Sequence, residues 1–149
     1  MSDDSLERAQ GYLRMSEDYA AAATRSLGSG ADESCRLPFF MLVAHALELS
    51  LKAVLSAEGA DEERLMGIGH ELGWCLQLVR RTRRYPKEAF SELVRLVDAL
   101  STPHAFQAFR YPQPFRWTLP EPLAASGLLQ RHLDVVAEAI TRDRARSSL

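Results

Sequence analysis

His45, Glu48 and Lys52 stand three and four residues apart in LPFFMLVAHALELSLKAVLSAEG (37–59), a stretch otherwise apolar almost all the way round. At the helical turn per residue, the three side chains fall within an arc of about 60°. Imidazole, carboxylate and ammonium on one face can move a proton, orient a ligand or form an ion pair, and Glu48 four residues before Lys52 is the favourable order for pairing. On a solvent-facing stripe the same pair would contribute only about 0.3–0.5 kcal/mol. The apolar flanks, Phe39 to Ala44 and Leu49 to Leu55, point instead to partial burial. There, charges need partners from elsewhere in the chain.

Other groups could join them. His70, in GHEL, carries an imidazole, a group that can serve as general acid or base, or simply cap a helix. Arg64 precedes it with five residues between them. Arg110 and Tyr111, in FRYP, offer a guanidinium that can grip phosphate through two hydrogen bonds and a ring that can stack or donate one. The same pair could instead anchor a loop. If that loop folds back over residues 37–59, Arg110 pairs with Glu48. Arg80, Arg81, Arg83, Arg84 and Lys87, with Tyr85 among them, form the densest basic run. It suits either an RNA backbone or a solvated helix C-terminus, where positive charge is favoured. Trp74 and Trp117 suit a core or an interface. His45 and Glu48 could supply one pair of metal ligands, but no second pair is evident, so neither metal nor cofactor is expected. The chain has no glycine-rich phosphate loop, HExxH or nucleophile elbow.

The elements that must hold these residues follow from periodicity and breakers. Helical spacing of Tyr12, Met15 and Tyr19 predicts a first helix over 4–27, ended by Gly28 and Gly30 in a GSGADES loop. Pro38 suits the first turn of a second helix, and Gly59 suits its C-terminal cap. A charged connection, ADEERLMGIG, leads to a third helix from about His70, where Leu72, Cys75, Leu76 and Val79 share a face, until Pro86 breaks it. A fourth helix runs from about Pro86 to Leu100 with Phe90, Leu93, Val94 and Val97 inward. The segment 101–122 holds five of the chain's seven prolines and five of its twelve aromatic residues, a long loop expected to pack on the bundle. A last helix covers about Leu123 to Arg146, with Leu129, Leu133, Val136 and Ile140 on one face. No stretch alternates with period two, so the fold class is all-α, an up-and-down bundle of about five helices in one domain.

The elements and motifs together resemble the HEPN superfamily of small helical bundles. The resemblance lies in PFFMLVAHALELSLKAVL with His45, Glu48 and Lys52; in GHELGWCLQLV with Gly69, His70, Glu71 and Leu72; and in Arg110–Tyr111. It implies a four- or five-helix bundle, a homodimer, and links to RNA cleavage, nucleotide binding or a nucleotidyltransferase-type partner protein in toxin–antitoxin and defence systems. Catalytic members resemble one another in an arginine, four to six intervening residues and then a histidine. Arg64 and His70 match that spacing, although in the loop between the second and third helices and with Leu65 where a polar residue is common. The reading that follows is a HEPN-like module binding RNA, a nucleotide or a partner without efficient catalysis. A metal-independent endoribonuclease, with His70 as acid–base group and Arg64 or Arg110 on phosphate, is the alternative. A structural partner-binding subunit is another.

Bulk properties agree with an ordinary globular chain. Of 149 residues, 46% are hydrophobic and 26% charged, with a net charge of −2 that argues against wholesale polyanion binding but not against a local patch. Two distant cysteines, Cys35 and Cys75, make no CxxC and fit a reducing cytoplasm. The acidic N-terminus is unlike a secretory signal, and no apolar run is expected to reach the roughly 20 residues that span a bilayer.

Overall fold

Small side chains decide how the bundle closes. A computed structural model of the chain describes residues 2–28 and 35–147, all helix and connections with no strand among them. The expected GSGADES loop lies outside the described residues except for Gly28. The helices are α1 (Asp3–Ser26), α2 (Arg36–Ala57), α3 (Glu62–Ile68), α4 (Leu72–Thr82), α5 (Phe90–Ala105) and α6 (Pro122–Ser147), with a 3₁₀ turn at Lys87–Ala89 before α5. Ser2 caps α1 by accepting the Ser5 N–H, and Asp3 and Asp4 occupy its positive end. Along α1 the buried residues are Ser5, Ala9, Ser16, Ala20 and Ala23, all small, so its backbone lies close to α2. The Ser16 hydroxyl donates to the Ala46 carbonyl at 2.6 Å. Met15, which shares the helical spacing of Tyr12 and Tyr19, is 51% exposed, because the close-packed face is the serine–alanine stripe.

α2 contacts every other helix. Phe39, Phe40, Val43, Leu47, Leu51 and Val54 are fully buried on it, and the charged Glu48 and Lys52 are buried with them. It is also, by length and composition, the one helix among the described residues that could cross a membrane, contrary to the sequence expectation; most of that length is buried inside the bundle. Its polar cluster and its neighbours on several sides mark it as a core helix.

Two boundaries differ from the sequence reading. The connection ADEERLMGIG contains α3: Asp61 accepts the Arg64 N–H at 2.9 Å as N-cap, Leu65 and Ile68 turn inward, and Gly69 ends the helix at φ 65°. Six helices result among the described residues, not about five. α5 continues past Leu100, through Pro103, to Ala105. A proline near a helix C-terminus removes only one backbone donor, and the following turn repairs the end. Gln107 adopts φ 57°, and the Ala108 N–H returns to the Pro103 carbonyl at 2.9 Å. The proline-rich loop therefore starts after α5 ends, and it packs inward: Phe109 is buried with its ring 6.4 Å from Phe40, and Phe115 and Trp117 pack on each other at 5.2 Å.

A glutamate-centred polar cluster

Glu48 is only 3% exposed, and its two carboxylate oxygens are used differently. Oε2 accepts from Lys52 Nζ at 3.3 Å, the i,i+4 pair foreseen from spacing. Oε1 accepts from His70 Nδ1 at 2.8 Å and from His104 Nε2 at 3.1 Å. Burial alone would raise the carboxyl pKa, but the hydrogen bonds from His104 and His70 and the Lys52 charge outweigh it and hold the group down at about 2. The carboxylate is therefore an anion held by three donors.

The three partners come from separate places. Lys52 is one turn along α2. His70 stands in the turn between α3 and α4, its side chain 58% exposed. His104 is buried in the last turn of α5. The rings of His70 and His104 meet edge to face at 6.0 Å, and the two line a cavity of about 10 Å³ with Met41, Gln107, Phe109 and Arg110. Such a space holds about one water molecule.

His45 does not join Glu48 through a hydrogen bond. Its ring stands at right angles to Tyr19, 4.5 Å between centroids, and burial lowers its pKa against the opposing pull of Glu48. Arg110, expected on Glu48, stops short of it. His104 occupies that side of the carboxylate because α5 is longer than its sequence suggested. Arg110 is exposed at the cavity rim, and among the described residues its side chain makes no hydrogen bond or ion pair. Tyr111, beside it, is 63% exposed. Arg64 lines a different cleft, of about 300 Å³, with Leu55, Glu58, Leu78 and Arg81, apart from the cavity that His70 lines.

The basic run is divided. Arg84 reaches back to α2, bonding Glu58 and donating to the Ala57 carbonyl at 2.9 Å, so its side chain is only 8% exposed. Arg80 sits over the Phe90 ring at 5.5 Å. Arg83 forms the left-handed C-cap of α4 at φ 61°. Arg81, Arg83 and Lys87 are exposed, whereas Tyr85 is buried and offers no stacking face. Trp74 is 48% exposed, outside the core.

Two polar residues escaped the sequence reading. His104 continues the inward face of α5 set by Leu93, Val97 and Leu100, and following that period through Pro103 would have found it. His132 lies on α6 between Leu129 and Val136, on the helix's apolar side. It is 4% exposed, with Nε2 2.6 Å from the Ser50 hydroxyl and Nδ1 2.9 Å from the Tyr85 hydroxyl. Ser50 already donates to the Leu47 carbonyl at 2.8 Å, which fixes the relay: Tyr85 donates to Nδ1, Nε2–H donates to Ser50. Burial pushes the imidazole pKa down to about 3, so the ring is neutral. This second cluster joins α2, α6 and the residues before α5 as a fully bonded internal tie. A cleft of about 620 Å³ between α5, the loop and α6 touches neither cluster.

No family profile, curated protein or solved structure matches the chain.

Proposed function

We propose that this is a HEPN-like helical domain that binds a phosphate-bearing ligand, RNA or a nucleotide, at the rim formed by His70 and Arg110, without efficient catalysis of its own. The observation that carries the reading is Arg110: an exposed guanidinium without a carboxylate partner among the described residues, sharing a cavity with His70. Tyr111 beside it can stack on a base or donate to phosphate. Glu48 holds the His70 ring from within, leaving Nε2 as its second hydrogen-bonding nitrogen. Arg81, Arg83 and Lys87 extend positive charge along the exposed end of α4. The proposal includes a homodimer in the cytoplasm and accommodates a nucleotidyltransferase-type partner protein.

The test is fluorescence anisotropy with labelled single-stranded RNA and with a fluorescent nucleotide. Binding should weaken with salt, and Arg110→Ala should reduce it about tenfold while leaving the fold intact. Affinity unaffected by Arg110→Ala would refute the reading.

One observation favours endoribonuclease activity as a second reading. A carboxylate-held imidazole with an exposed ring can act as general acid or base on the 2′-hydroxyl of RNA, with Arg110, not Arg64, on phosphate. Incubation with a mixed RNA pool, with and without chelator, decides it: no cleavage, or equal cleavage by a His70→Ala protein, removes this reading.

A further inference from the structure

We propose that Glu48, His70 and His104 form a binding site for one divalent first-row transition-metal ion. Glu48 Oε1, His70 Nδ1 and His104 Nε2 lie within 4.8 Å of one another and belong to three different elements. The separations from Oε1 are 2.8 Å to His70 and 3.1 Å to His104. With metal–donor bonds of about 2.1 Å, these two separations correspond to Oε1–metal–nitrogen angles of about 85–95°, and the two nitrogens are no more than 4.8 Å apart. Two imidazoles and one carboxylate are the donor set of the facial arrangement at an octahedral ion, which leaves further positions open once the two rings close on the same ion.

Two neighbouring features fit a metal better than a simple lock. Lys52 occupies Oε2, so Oε1 is left to bind through one oxygen, and the lysine orients the carboxylate from behind as an outer hydrogen-bond partner. The cavity of about 10 Å³ is lined by both imidazoles and has room for one water at an open coordination position. Arg110 on that cavity's rim would favour an anionic co-ligand in the same position. Binding moves protons within the rings: the N–H groups now aimed at Glu48 give way to lone pairs, and each imidazole carries its hydrogen on its other nitrogen. The donor set of two imidazoles and a carboxylate suits zinc, cobalt, nickel, iron or manganese better than calcium or magnesium.

This inference stands on donor geometry and does not need the phosphate reading. Tag-free protein stripped with chelator is titrated calorimetrically with zinc chloride and with cobalt chloride, alone, and its thermal unfolding is followed with each. One ion should bind per chain and raise the melting temperature. His104→Gln should weaken binding at least about tenfold, and so should His70→Ala, whose ring is more than half exposed and whose removal spares the core. Absence of saturable binding at one ion per chain would overturn the proposal, as would unchanged affinity in His70→Ala. The RNA assay with Arg110→Ala is separate, so loss of the metal site and loss of the phosphate site are read independently.

Discussion

Glu48 is where charge, burial and possible chemistry meet. Lys52 is itself 7% exposed, so replacing Glu48 by glutamine removes the counter-charge from a buried ammonium. Glu48→Gln should lower the unfolding free energy by about 3–5 kcal/mol in urea denaturation. A loss below about 1 kcal/mol would mean that Lys52 reaches water without the carboxylate. Acid should probe the same groups in two windows. The Glu48 carboxyl falls from 4.5 to about 2, so its contribution, about 3 kcal/mol, is complete above pH 4.5 and is lost as pH drops through 2. His132 falls from 6.5 to about 3, so the stability of its neutral, fully bonded ring is complete above pH 6.5 and declines as pH falls toward 3. One such site gives a slope of about 1.4 kcal/mol per pH unit. Stability measured between pH 4.5 and 6.5 should slope for the wild type and slope less in His132→Gln, where only the depressed pKa of His45 still contributes; equal slopes would show that the His132 ring protonates without cost in the fold.

At the scale of elements, the helices written in a regular apolar period with ordinary caps were legible. α1, α2, α4 and α6 lie close to where spacing, Gly59 and Pro86 put them. α3 was hidden because its charged residues dominate a short segment whose inward side is only Leu65 and Ile68. α5 was cut short because a proline reads as a breaker, although Pro103 sits where little helix remains to be broken. That one boundary changed the chemistry: the added turn carries His104 into the cluster and leaves Arg110 on the rim. The basic run also changes meaning with its element, since Arg84 ties α4's end to α2. Arg83 holds a left-handed conformation that glycine adopts freely. Arg83→Gly should raise stability by about 0.5–1 kcal/mol in denaturant melts, and a loss of stability would contradict the assignment of strain to this position.

On the scale of the whole molecule, the sequence indicated that residues 37–59 form the central helix, and α2 does contact all the others. What it could not supply is which distant group reaches Glu48, because that depends on where α5 ends and how the chain turns at Gln107. The result is a bundle with two polar ties across its core. One, around His132, is closed; the other, around Glu48, opens through His70 to the surface where Arg110 stands. We propose that this opening receives phosphate. Equilibrium binding of labelled single-stranded RNA across a salt series, for wild type and Arg110→Ala, tests it most directly. Binding should weaken with salt, and Arg110→Ala should show an affinity about tenfold lower and a log–log salt slope shallower by about one unit. Identical affinities and slopes for the two proteins would contradict it.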